Sequence, residues 1–246
     1  SGRNYSSMAQ MVPGVTSDAN SENTSQSTIS VYGSSGAENT FIVDGVNTTG
    51  VEYGFQGKEP NFEFVQAIDI KTGGYEAEYG RSTGGAVNVI TKSGGNEFRG
   101  DVFGYFDDDA LQGTPDEVVS TAGTVNGFTR QDFGADLGGF LIKDRLWFFG
   151  AYDRVSNTTD TILPAGPAAG EIVESTSDRD LASAKLTFNL TSGQSLIGTF
   201  FQDPRDDAGA INDNDHKLNG EPLTYLGQQA FGGQDYALRY DGILGS

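Results

Sequence analysis

Beyond residue 97, apolar and polar side chains alternate one by one, and that period of two is the strongest constraint on the fold. Ala182, Ala184, Leu186, Phe188 and Leu190 fall on one side of an extended chain, and Ser183, Lys185, Thr187 and Asn189 on the other. Phe133, Ala135, Leu137 and Gly139 oppose Asp132, Gly134, Asp136 and Gly138 in the same way. Tyr236, Leu238 and Tyr240 oppose Asp235, Ala237, Arg239 and Asp241. Successive side chains of a strand point to opposite faces, whereas a helix repeats every three to four residues. The pattern predicts six strands, near 98–107, 127–140, 145–156, 180–191, 194–203 and 234–243. Their connections differ in kind. Those near 141–145 and 191–194 are tight, and those near 107–127, 156–179 and 203–233 are long, polar and acidic.

Two architectures share this pattern. A membrane-spanning β-barrel has short turns on one rim and long loops on the other. A soluble β-sandwich also alternates. Aromatics near the strand ends (Tyr105, Phe106, Trp147, Phe148, Tyr152, Phe200, Phe201) fit an interfacial girdle. Alternation alone leaves both architectures open. Six strands cannot close around anything large, and an open edge in lipid leaves backbone groups unpaired at several kcal/mol each. A membrane barrel reading therefore expects the chain to be the beginning of a longer protein, with Ser1 falling inside a pattern rather than before one.

Composition removes several functions. The formal net charge of −19 argues against nucleic acid and against a basic membrane-surface patch. There is no cysteine, so thiol chemistry and thiolate metal sites are excluded. His216 is the sole histidine and sits in a polar loop without an orienting partner in sequence, so no catalytic constellation is present and no enzyme is expected. No run of about 18 apolar residues marks a transmembrane helix. The 35 glycines, with aromatics at 11%, suit many turns between many strands rather than disorder.

Before residue 97 the elements are short and mixed. Tyr5, Met8 and Met11 are spaced for one short helix over 4–12, stopped by Pro13-Gly14. Strands are expected over 27–32, 40–43 and 67–72, with a turn at Asp44-Gly45 and one helical turn over 61–66. Residues 47–60 read as a polar and aromatic loop. From Gly73 to Phe106, nine glycines thread a stretch that otherwise reads as two strands, 86–91 and 101–106, joined by a tight turn. Glycine inside a strand pattern signals a bend or the close approach of another backbone.

Four segments arrive in order: "RNYSSMAQMVPGV" (3–15), "NTFIVDGV" (39–46), "FVQAIDIKTGGYEAEYGRSTGGAVNVITKSGG" (64–95) and "NEFRGDVFGYF" (96–106). Together they resemble the plug domain and first barrel strand of TonB-dependent outer-membrane receptors, in the form of the Oar-like branch. The resemblance implies an α+β plug over residues 1–97, followed over 98–246 by the first antiparallel strands of a mainly β barrel of about 22 strands. It implies a Gram-negative outer-membrane location, contact with outer-membrane lipid, and an energising TonB-ExbB-ExbD complex acting on the plug. Surface or periplasmic protein partners remain open, as does a surface adhesin or structural barrel without transport. Gly84-Gly85 and Gly94-Gly95 would then let the last plug strand pass close to the wall and reverse.

By the same resemblance, cargo contacts come from outward plug loops. Tyr53, Phe55 and Gln56 in 47–60, and Tyr75 in 73–76, are the candidates, and Glu78 and Arg81 are candidate ion-pair formers inside the lumen. No cofactor is implied. Acidic clusters at Asp107 to Asp109, Asp203 with Asp206-Asp207, and Asp213 with Asp215 fall in the expected long loops, and oxygen-only clusters suit Ca²⁺. Asp213 and Asp215 are the candidate ligands, although Leu226 occupies the place of the final EF-hand glutamate counted from Asp215.

Overall fold

The computed structural model describes residues 8–17, 29–50, 54, 56–58, 60–74, 82–113, 124–162, 170–210 and 226–243. They form a small N-terminal body and a wall of long antiparallel strands.

The body is built from short apolar segments. Strands β1 (Val15–Ser17) and β2 (Ile29–Val31) pair antiparallel. A second sheet has the order β4-β3-β6-β5, from β3 (Thr40–Val43), β4 (Val46–Asn47), β5 (Val65–Lys71) and β6 (Ala86–Thr91). β3 runs parallel to β6, and β5 antiparallel to it. Asp44 and Gly45 both have positive φ, 49° and 85°, which suits the tight reversal into β4. Ile29, Val31, Phe41, Val87 and Val89 form the core, all nearly inaccessible. Asn39 ties the two sheets together from within: its Nδ2 donates to the Ile29 carbonyl (2.7 Å) and its Oδ1 accepts from Gly85 N (2.8 Å). A Cβ on Gly85 would meet the Val31 side chain at 2.7 Å, so the approach needs glycine.

The wall contains β7 (Arg99–Asp108), β8 (Thr124–Ile142), β9 (Leu146–Ile162), β10 (Ile172–Thr191), β11 (Gln194–Gln202), β12 (Arg205–Ala210), β13 (Leu226–Phe231) and β14 (Gln234–Gly242). β7, β8, β9 and β10 pair in sequence order. β11 and β12 both pair with β10, one above the other, and β14 and β13 pair with them in turn. The eight segments therefore form six strand positions, as the alternation predicts.

Several strands run further than expected. β9 extends to Ile162 and β10 starts at Ile172, so most of the predicted loop 156–179 is ladder. β12 and β13 likewise lie inside the predicted loop 203–233, and Asp107, Asp108, Asp206 and Asp207 are strand residues. Alternation lapses there: residues 155–162 of β9 are all partly buried, with no wholly open or wholly covered face. Threonine and serine pairs such as Thr158↔Thr176 and Thr159↔Ser175 keep the ladder. A second correction concerns 86–91 and 101–106. They are not a hairpin: β6 belongs to the body's sheet and β7 to the wall, and residues 92–98 carry the chain from one to the other.

The wall is inverted relative to a soluble sheet. Its polar face is covered and its apolar face is open. Asp132, Asp153, Ser183 and Lys185 are buried at 1, 0, 5 and 6% exposure. Leu137, Leu186 and Leu238 stand at 50, 50 and 74%. Burial in water would select the opposite arrangement. The apolar side of β10 spans Ala182 to Leu190, nine residues, which matches the length of strand that crosses a bilayer. Just beyond it Arg154 pairs with Asp180 and Asp178, marking where the surroundings become aqueous.

Candidate functional site: the seam between body and wall

The body lies against the covered face of the wall, and among the described residues four groups of contacts join them. The first centres on Asp44, held in place by its turn. Its Oδ1 accepts from Thr91 N (3.0 Å) and its Oδ2 from Thr91 Oγ1 (2.5 Å), which fixes the carboxylate at the end of β6. Lys185 reaches in from β10, with Nζ 2.8 Å from Asp44 Oδ1 and 2.9 Å from the Thr91 carbonyl. Lysine and aspartate are both nearly enclosed, at 6 and 11% side-chain exposure. Such a pair tolerates burial only because both members are hydrogen-bonded.

The second group is apolar. Asn61 caps a single 3-10 turn, Phe62–Phe64, by accepting from Glu63 N, and its Nδ2 donates to Asp153 of β9. The turn sends Phe64 into a pocket of Phe149, Ala151, Leu181 and Phe201 on the wall, where it is fully buried. The third group follows β6. Lys92 donates to Asp136 (2.7 Å) and lies 3.4 Å from Asp101. Burial lowers the pKa of this ammonium, but the bonds and charge from Asp136 and Asp101 outweigh it, and the net shift is upward. Two residues on, a Cβ on Gly94 would sit 2.5 Å from the Gly139 carbonyl oxygen and against that of Phe148. Asn96 closes the crossing, accepting from Trp147 Nε1 (2.7 Å) and Asp144 N (2.9 Å). The fourth group is a clasp: Lys58 Nζ lies 2.6 Å from Asp203 and 3.0 Å from Asp235. Burial pushes its pKa down, but the two carboxylates more than reverse this and hold it above the ordinary value.

Of the sequence-predicted site residues, Gln56 is described. It is buried, 4% exposed, and bridges Thr49 rather than standing at a surface. Tyr53, Phe55, Tyr75, Glu78, Arg81, Asp213, Asp215 and His216 lie outside the described residues. Several expected loop carboxylates are engaged within the chain. Asp108 accepts from Thr129, Asp203 holds Lys58, and Asp207 accepts from Arg205. Among the described residues no group of three or more carboxylate or imidazole side chains is arranged to hold a metal. The aromatic girdle divides. Phe200 packs at a tilt on outward Tyr236, with ring centroids 5.0 Å apart, whereas Phe201 packs on Phe64 and Tyr105 donates to Glu63. Adjacent strand residues must face opposite sides, so Phe200 and Phe201 cannot share a belt. Of the four glycines expected to allow a close pass, Gly94 meets the wall, Gly84 and Gly85 meet the body itself, and Gly95 faces open space.

Sequence reasoning missed Asp44, Lys58, Asn61, Phe64 and Lys92 as seam residues. One signal was available: Lys185 stands on the polar face of a strand whose other face is wholly apolar.

Comparison with known proteins agrees with this arrangement. The family model described as TonB-dependent Receptor Plug Domain matches residues 1–87, and the model described as Outer membrane beta barrel domain matches residues 90–170. The TonB-dependent transporter Oar of Myxococcus xanthus is 38% identical over 154 residues, 61% of this chain and 14% of that protein. The outer membrane transporter YddB of Escherichia coli superposes with a TM-score of 0.72 at 15% identity, over 99% of this chain and 35% of that one. The siderophore receptor PirA of Acinetobacter baumannii gives 0.63 at 20% identity, over 98% of this chain and 35% of that one. The chain thus spans about a seventh of the length of its curated relative and about a third of the solved structures.

Proposed function

We propose that this chain, a member of the TonB-dependent outer-membrane receptor family, supplies the plug and first wall strands of an active transporter. The plug comprises residues 1–97 and the wall begins at residue 98. Cargo binds at the extracellular face, and TonB, energised with ExbB and ExbD, pulls on the plug from the periplasm to rearrange it. Tyr53 and Phe55 in the loop 47–60, and Tyr75, supply plug contacts to cargo, while Gln56, buried and bridged to Thr49, is not among them. Glu78 and Arg81 add ion pairs inside the lumen. No bond is made or broken in the cargo by this chain.

The observation that supports this reading best is the inverted wall with a folded body bound to its polar face. An apolar outer face at the strand positions that span lipid leaves the interior for the plug. The seam is made of ion pairs, hydrogen bonds and one inserted phenylalanine rather than a continuous apolar core. Such an interface is specific when seated, and water can re-solvate its polar groups when the plug shifts.

The test is uptake by cells carrying the full-length protein, with and without a functional TonB. Cargo bound at the surface in both strains, but internalised only where TonB works, is the expected result. Equal internalisation in both would overturn the transport reading.

A further inference from the structure

Two neighbouring wall strands are broken at the same level. β11 ends at Gln202, opposite Gln234, and β12 begins at Arg205, opposite Phe231. Asp203-Pro204 and Gly232-Gly233 fill the gap. Pro204 has no N–H to donate to a ladder. Gly232 has φ +84°, and a Cβ there would fall on the Asp203 carbonyl. Across the break, Asp203 N donates to the Gly233 carbonyl (3.2 Å), and the Asp203 side chain accepts from Gly233 N (3.1 Å). The same carboxylate oxygen receives Lys58 at 2.6 Å, and Asp235 faces that ammonium from the other strand. A lysine of the plug thus completes a weak point of the wall.

Behind Lys58 the connection continues into the plug core. Gly57 N donates to the Thr48 carbonyl (2.8 Å), and Thr49 bridges Gln56. Thr48 N donates to the Phe41 carbonyl (2.8 Å), and Phe41 N donates to Thr49 Oγ1 (2.9 Å). Phe41 lies in β3, which pairs with β6 at the centre of the plug sheet. Above the break, the β12–β13 hairpin rises beyond the apolar band and is flanked on one side by β10, through Ser175↔Gly209 to Arg179↔Arg205.

We infer that Lys58 is a positioning residue that couples the plug sheet to the β12–β13 hairpin. A seated plug holds the hairpin through the Asp203 clasp, and a displaced plug releases it. The inference rests on the transport reading only for its purpose: it gives plug movement on the periplasmic side a readout on the extracellular side.

Hydrogen exchange on the full-length protein in detergent micelles tests it. Lys58→Met is expected to speed exchange of the amides in 206–210 and 226–231 about tenfold, the size of coupling seen within one ion-pair network. Exchange in 146–162 of β9 stays unchanged, and Lys58→Arg restores most of the protection. Asp235→Asn, which leaves the Asp203 bonds in place, gives a smaller change with the same pattern. Thr49→Ala, which weakens the relay inside the plug, speeds hairpin exchange in the wild-type background but adds nothing to Lys58→Met. No change in the hairpin, a rise spread evenly into β9, or additive effects of Thr49→Ala and Lys58→Met would each overturn the coupling. Exchange needs no cargo and no TonB, so a failed uptake experiment leaves this inference standing, and its failure leaves the transport reading intact.

Discussion

The plug and the wall obey opposite rules of burial. In the plug, Val31, Phe41, Val87 and Val89 are hidden in an apolar core, and the polar groups hidden beside them, such as Asn39, are hydrogen-bonded. In the wall, Asp132, Asp153, Ser183 and Lys185 are hidden while Leu137, Leu186 and Leu238 stand open. The plug strands are short and apolar and the wall strands are long and alternating, and the two also differ in what surrounds them. The plug folds against its own apolar core. The wall has a polar partner on one side and the hydrocarbon of the outer membrane on the other. At Phe64 the plug's rule crosses into the wall, because Phe149, Ala151, Leu181 and Phe201 form an apolar spot on the covered face.

The largest effects are expected where the two rules meet. Phe64→Ala removes a fully buried ring from the seam and should weaken plug seating by about 3–5 kcal/mol. Limited proteolysis of the plug within the intact protein would report it, and wild-type resistance would mean that the pocket carries no weight. Lys185→Met strands Asp44 without its counter-charge and should cost a similar ~3–5 kcal/mol. Adding Asp44→Leu should recover much of that loss, which separates the cost of an orphaned charge from lost packing.

Next comes the lipid face. Leu186→Arg should destabilise the wall by about 2–4 kcal/mol in a bilayer. If that face met water, the same change would stay within about 0.5 kcal/mol, and urea unfolding from vesicles distinguishes the two. Gly94→Val should then slow or misalign docking of the crossing segment, seen as a fraction of molecules with protease-sensitive plugs, while Gly95→Val is tolerated.

The smallest effect is on pH. Lys58 and Lys92 have pKa values above the ordinary lysine value of 10.5 because their carboxylate partners outweigh burial. Their contribution is therefore complete below that value and lost only as pH rises through the raised one. Glu38 behaves in the opposite sense: hydrogen bonds from the Ser35 amide and hydroxyl lower its pKa, so its cap of the 36–38 turn persists above 4.5 and fades as pH falls through the lowered value. Plug protease resistance should be flat through neutral pH and fall in strong alkali, with a smaller loss in strong acid where the Glu38 cap fades. A fall between about pH 6 and 8, where neither lysine titrates, would show that other groups hold the seam.

Much of this was legible without coordinates. The strand at 40–43, the reversal at Asp44-Gly45, the helical turn near 61–66 and the six wall positions all follow from local patterns. The seam was not. Asp44 and Lys185 are 141 residues apart, and Lys58 and Asp203 are 145 apart. No local spacing encodes such pairs, and Asp44 had already been accounted for as a turn residue. The upper halves of β9 and β10 were also hidden, because a threonine-rich ladder without apolar alternation reads like loop.

The sequence by itself determined which residues share a face, since the pleat of a strand sorts neighbours with no outside help. It also determined where the chain reverses, since glycine, proline and aspartate set the backbone angles locally. Only the tertiary structure decided which face is inside. Alternation has no sign until something covers one side, and here the plug covers the polar side, leaving the apolar side for lipid.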